Sequence, residues 1–214
     1  MFEIDLEWPV ASQYVVRSAK SPKGDHAIYV AKNATSTLRR PLDENPSLYA
    51  EFANLDGSES SCLKFVHKYG MLVVDPRYPA ADAGIIESLS QWKGYIRYIR
   101  EIIEFCKIGR ARPAAAYRQF GKQEKLLYGG LSAYLSIVGP KSPPVLTVRC
   151  TYLIAAIELQ AIQSILGGRW SVQCIECSGW FEIGAGARRS QSKFCSTRCK
   201  DSYHNNLKAE AKRG

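Results

Sequence analysis

The chain has 214 residues, is 46% hydrophobic and carries a formal net charge of +9 with a pI near 9.2. That size suits one medium domain plus a small module, with ample apolar content for a packed core. Three cysteines (Cys62, Cys106, Cys150) stand outside the only regular spacing, an arrangement that speaks for a reducing compartment and against a secreted disulfide scaffold. The acidic start, Met1-Phe2-Glu3-Ile4-Asp5, has no basic leader before an apolar run. The best apolar stretch, 152–166, is interrupted by Glu158, Gln160 and Gln163 and is too short to span a bilayer. A soluble, cytoplasmic protein is expected.

Residues 1–35 read as extended. Tyr14-Val15-Val16 and Ala27-Ile28-Tyr29-Val30 are β-prone and flank the turn-like Ser21-Pro22-Lys23-Gly24-Asp25, which predicts a hairpin. Pro41 to Pro46 reads as a linker. Helical patterning covers 48–55 and, after Asp56-Gly57, 61–69, with Gly70 suited to the position just past a helix end. His67 in this helix reads as structural. The clearest helix runs from about Gly84 to Ile108, where Ile85, Leu89, Trp92, Ile96, Ile99, Ile103 and Cys106 alternate steps of four and three. Such a heptad seam fits either a homodimeric coiled coil or a helix packed in a bundle. Tyr95, Ile102 and Phe105 widen the apolar face and favour the bundle, leaving Arg97, Arg100 and Lys107 as a solvated side. Arg110-Ala111-Arg112-Pro113 breaks the pattern. Leu131 to Ile137 alternates as a strand, 139–144 is a turn, and Val145 to Val148 returns as its partner. A second strong helix covers about Thr151 to Leu166 and is stopped by Gly167-Gly168. The boundary is read there, giving a body over 1–168 and a module over 169–214.

The module is organised by Cys174-Ile175-Glu176-Cys177 and, after 17 intervening residues, Cys195-Ser196-Thr197-Arg198-Cys199. A C-x₂-C knuckle brings two sulfurs onto one ion, and a helix starting near Ser196, a good N-cap, places Cys195 and Cys199 on one side. Four thiolates are the donor set of a tetrahedral zinc site, so Cys174, Cys177, Cys195 and Cys199 are the predicted metal ligands. Between the pairs, Trp180-Phe181-Glu182-Ile183 reads as a strand, 184–187 as a turn and Ser192-Lys193-Phe194 as the returning strand. Phe181 and Phe194 are the expected miniature core. Knuckle, hairpin and ligand-bearing helix make a treble clef. The fold class is therefore α+β: a mainly helical N-terminal body with small β-hairpins, followed by a C-terminal treble-clef zinc finger. A closed four-thiolate site leaves no position for an activated water, and no Walker loop, dinucleotide fingerprint or Ser/His/Asp grouping is present, so no enzyme is expected.

Several stretches carry a family likeness: Arg40-Pro41-Leu42-Asp43, Lys64 to Gly70, Trp180-Phe181-Glu182 and Lys193-Phe194-Cys195-Ser196. Through them the chain resembles uncharacterised bacterial proteins with a C-terminal CGNR-like, treble-clef zinc finger, closely over about 169–213 and loosely before that. The family's Cys-Gly-Asn-Arg is here Cys199-Lys200-Asp201-Ser202. The resemblance implies zinc on the four cysteines, DNA binding by the finger and a regulatory or sensing body. Charge agrees, since from Gly168 onward nine basic residues stand against four acidic ones. Such concentration favours a polyanion partner. The candidate nucleic-acid contacts are Arg188 and Arg189 beside the glycine-rich turn, Lys193, and Arg198, Lys200, Lys208 and Lys212 on the helix. The alternative is a protein-interaction adaptor whose zinc only stiffens a docking surface made by Trp170, Trp180 and Tyr203.

Overall fold

The computed structural model describes residues 3–18, 25–73, 86–111, 131–136 and 145–211. The turns read at 21–24 and 139–144, the Arg112-Pro113 break, Ile85 and Lys212 lie outside these residues. The chain is α+β and divides into two compact units, 1–163 and 164–214.

The first unit opens with β1 (Glu3–Asp5), β2 (Trp8–Ala11), β3 (Tyr14–Ser18), β4 (His26–Val30) and β5 (Ser36–Arg39). It continues with α1 (Pro41–Glu44), α2 (Leu48–Ala53), α3 (Glu59–Tyr69), β6 (Ile86–Ser88) and α4 (Leu89–Ala111), then β7 (Leu131–Ser136), β8 (Val145–Cys150) and α5 (Leu153–Leu166). The predicted hairpins form: β3 pairs antiparallel with β4, and β7 with β8. Two pairings are non-local. β6 adds to β4, and β1 lies parallel to β8 with Glu3 opposite Thr147. A further two-stranded sheet joins β2 and β5.

The stretch read as a linker contains a single helical turn, α1. Pro41 sits at its N1 position, where a missing N–H costs nothing, and Asn45 N bonds Pro41 O at 3.0 Å. The long helix also starts later than its apolar seam implies. Residues 86–88 are a strand, and Ser88 then caps α4 reciprocally with Gln91: Gln91 N donates to Ser88 Oγ at 3.1 Å and Ser88 N to Gln91 Oε1 at 3.0 Å. This capping box satisfies two donors that the first turn leaves open. Ser58 caps α3 in a simpler way, accepting from Ser61 N at 3.2 Å. Gly70 ends α3 with φ +91°, and a Cβ there would meet Pro9 O at 2.8 Å and the Trp8 indole at 2.9 Å, so both backbone and space call for glycine.

The seam of α4 is buried within the unit: Leu89, Trp92, Ile96, Ile99 and Ile103 are all core, and Ile102 with them. This is the bundle arrangement. The rings of Phe52 (α2), Phe65 (α3) and Trp92 (α4) form a trio with centroids 5.2–6.0 Å apart. Arg97 keeps to the outer side and pairs with Glu101 at 3.8 Å, whereas Arg100 departs from the expected solvated face. It donates to Ala53 O and Leu55 O, both at 2.8 Å, and so satisfies carbonyls that the end of α2 leaves unbonded.

Two buried polar side chains of the unit are well matched. Gln160 accepts from Tyr49 N and donates to Asn45 O, each at 3.0 Å. The buried Glu87 carboxylate accepts from Leu72 N at 3.0 Å, Val73 N at 2.6 Å and Trp92 Nε1 at 2.9 Å. Glu87→Ala would leave three buried donors without this acceptor, and each such loss costs about 1–3 kcal/mol. A fall in stability of about 3 kcal/mol or more is expected in urea unfolding followed by tryptophan fluorescence. Glu87→Gln, which retains one acceptor oxygen, should lose about half as much.

Candidate metal centre

The second unit is built on a hairpin of β9 (Arg169–Gln173) and β10 (Trp180–Gly184), paired antiparallel with Trp170 opposite Ile183 and Val172 opposite Phe181. Alternation puts these four side chains on one face, where they form a small core with Cys174, Phe194, Cys195 and Cys199. Within this unit Glu182 accepts from Ser164 Oγ at 2.7 Å and pairs with Arg169 at 3.6 Å. Phe181 and Phe194 therefore take the core places expected of them. The hairpin itself differs from expectation. The strand at 180–184 finds its partner before the first cysteine pair and not at 192–194, because Trp170 and Val172 offer apolar cross-strand neighbours that the polar return segment lacks.

The first two cysteines occupy the hairpin turn. Ser178 N bonds Cys174 O at 2.8 Å and Cys174 N bonds Gly179 O at 2.9 Å, with Ser178 in the left-handed region at φ +58°. Beyond β10 the chain turns over 184–187 as predicted. Gly184 has φ +108°, and a Cβ there would lie 2.3 Å from Gly168 O. The return segment is tied to the knuckle by Ile175 N donating to Lys193 O at 3.2 Å. Helix α6 (Thr197–Ala211) then begins after Ser196, whose Oγ accepts from Cys199 N at 3.1 Å. The serine is the N-cap that the sequence implied.

These elements bring together the four predicted ligands. The sulfurs of Cys174, Cys177, Cys195 and Cys199 all lie within 4.8 Å of one another. Cys177 and Cys195 are separated by 3.6 Å and Cys195 and Cys199 by 3.5 Å. A tetrahedron with metal–sulfur bonds of about 2.3 Å has edges of about 3.8 Å, whereas a disulfide needs about 2.05 Å. The cysteines are free thiols at tetrahedral spacing, a group that can hold a metal ion.

Electrostatics point the same way. Burial raises the Cys174 thiol, but backbone N–H groups of Cys177, Cys195 and Glu176 aimed at its sulfur outweigh it and bring it down to about 6. Burial, and after it the adjacent sulfurs of Cys199, Cys177 and Cys174, push Cys195 up to about 12. Cys174 ionises readily, whereas the thiols of Cys177 and Cys195 beside it are raised. A cation held among the four sulfurs would favour their thiolate forms.

The basic candidates are on the outside. Arg188, Arg189, Lys193, Arg198, Lys200 and Lys208 are all exposed, and among the described residues none forms an ion pair. Arg188 and Arg189 follow the glycine turn. Lys200, His204 and Lys208 run along α6 at four-residue steps, one stripe of the helix. Lys212 lies beyond the described residues. The aromatics of the adaptor reading are engaged internally: Trp180 is buried, Trp170 packs on the cysteine core, and Tyr203 lies 5.4 Å from the Phe194 ring. Glu176 was not singled out by sequence reasoning. Its carboxylate accepts from Ser202 Oγ and from Asn206 Nδ2 at 3.3 Å, and the one available signal was the i, i+3, i+7 spacing of Cys199, Ser202 and Asn206.

Ser178 holds a conformation in which a side chain costs about 1–2 kcal/mol. Ser178→Gly relieves that strain at some cost in backbone entropy, for a net gain of about 0.5–1 kcal/mol. It should appear as a several-fold rise in cobalt affinity, measured by chelator competition. Unchanged or weaker binding would mean that the knuckle draws on the Ser178 side chain.

No family model, curated protein or solved structure matches the chain, so its likeness to CGNR-like fingers rests on the motif residues alone.

Proposed function

We propose that residues 164–214 form a zinc finger whose ion is structural, held by Cys174, Cys177, Cys195 and Cys199, and that this finger binds DNA as part of a regulator. Zinc suits a closed tetrahedral thiolate set, and four protein ligands leave no open position for substrate or water, which argues for a scaffold and against catalysis. The observation that carries the DNA reading is the density of exposed basic side chains without a carboxylate partner in the short second unit. In the first unit, Arg39 pairs with Glu44, Arg40 with Asp43, Lys68 with Glu51 and Arg97 with Glu101, and Arg100 meets backbone carbonyls, while Arg17, Lys32, Lys64 and Lys93 stay exposed. In the second, Arg169 alone is neutralised in this way among the described residues, and six exposed cations are left for an outside anion. A phosphate backbone supplies anions at that density. An adaptor surface made by Trp170, Trp180 and Tyr203 has less support, because those rings are already packed. Among the described residues no helix is long and apolar enough to cross a membrane.

Two measurements test this reading. Removing the metal with a chelator should unfold the second unit while the first, which has its own core, keeps its helices; circular dichroism should show a partial loss that zinc restores. In salt-dependent titrations of zinc-loaded protein onto duplex DNA, affinity should fall with salt, and Arg188→Ala with Arg189→Ala should make the slope shallower by about two. Absence of binding at low salt would remove the DNA reading and leave the metal reading standing.

A further inference from the structure

The two residues inside the knuckle make contacts that reach both of the other ligand-bearing segments. Ile175 N donates to Lys193 O at 3.2 Å, two residues before Cys195. Glu176 reaches the helix: its Oε1 accepts from Ser202 Oγ and from Asn206 Nδ2. Ser202 and Asn206 follow Cys199 by three and seven residues, so donors and ligand share one face of α6. None of the helix's described residues is fully buried; Tyr203 and His204 lie against Phe194, with centroids 5.4 and 6.0 Å away, and Cys199 packs on the small core. Rotation of the helix by a fraction of a turn would carry the Cys199 sulfur off its corner.

We propose that Glu176 is the positioning residue of the metal centre, fixing the rotation and distance of α6 so that Cys199 meets Cys174, Cys177 and Cys195 at tetrahedral spacing. The proposal rests on the metal reading above and extends it to a residue that is not a ligand. Glu176 acts by accepting hydrogen bonds, and its negative charge is incidental. A neutral acceptor of the same length therefore suffices. Outer partners of this kind orient ligands and, when removed, weaken metal affinity by about 10–100-fold.

The test uses the full-length chain titrated with cobalt(II), with tetrathiolate absorption bands as the spectroscopic readout and chelator competition for affinity. Glu176→Ala should bind about 10–100-fold more weakly with altered band positions, while Glu176→Gln stays within about threefold of wild type. Ser202→Ala should fall between them. Combined with Glu176→Ala it should add nothing further, since both changes break the same contact. Circular dichroism at saturating cobalt establishes that α6 is formed in each variant. Should Glu176→Ala fail to fold, Ser202→Ala against Glu176→Gln carries the comparison. Affinity of Glu176→Ala equal to wild type, or of Glu176→Gln as poor as Glu176→Ala, would overturn the proposal. A wild-type chain that takes up no cobalt would instead refute the metal reading on which it rests.

Discussion

The second unit depends on one constraint, the convergence of four sulfurs from two segments 17 residues apart into a space 4.8 Å across. Its apolar core cannot carry the fold alone. Cys174, Phe181 and Ile183 are its buried centre, the surrounding side chains are partly exposed, and α6 contributes no buried residue. A unit this small buries too little to offset its conformational entropy. Burial, and after it the adjacent sulfurs, hold the Cys195 thiol up, so ionising it without a cation is unfavourable. A cation bound there would reverse the sign of that term and make the cluster a source of folding free energy. The hairpin, the Ser196 cap and the knuckle contacts are the means by which the chain brings its four sulfurs together.

The first unit is stabilised by different physics. Phe52, Phe65 and Trp92 pack as a trio, the α4 seam from Leu89 to Ile103 is internal, and the buried carboxylate of Glu87 and amide of Gln160 meet designated partners. Some of its cations are drawn into local pairs or onto carbonyls, as with Arg39 and Arg100. In the second unit Arg169 is the described basic side chain that meets a carboxylate, and six others are exposed.

Local chemistry was legible in the sequence and non-local pairing was not. The cysteine spacing, the Ser196 cap, the Phe181 and Phe194 core and the strands at 14–18 and 26–30 each depend on residues close to one another in the chain. So does the α4 seam, whose residues Leu89 to Ile103 proved buried. The start of α4 was misplaced because apolar periodicity continues upstream of Ser88, while the reciprocal bonds between Ser88 and Gln91 decide where the helix begins. The parallel pairing of β1 with β8 leaves no local mark, since either strand offers the same alternation to any neighbour. In the finger, the strand at 180–184 was identified but its partner was not. Choosing between 169–173 and 192–194 required knowing which segment fills the core with Trp170 and Val172. Arg100 and Glu176 were obscured for a related reason: a charged side chain on a helix or turn looks solvated until the carbonyl or hydroxyl it meets is placed in space.

The most direct test of the central claim is X-ray absorption at the zinc edge on protein purified without added metal or chelator. The account predicts one zinc per chain with four sulfur scatterers at about 2.3 Å and no nitrogen or oxygen in the inner shell. Substoichiometric metal, or an inner shell containing water or imidazole, would contradict a closed four-cysteine site and with it the structural role of the ion.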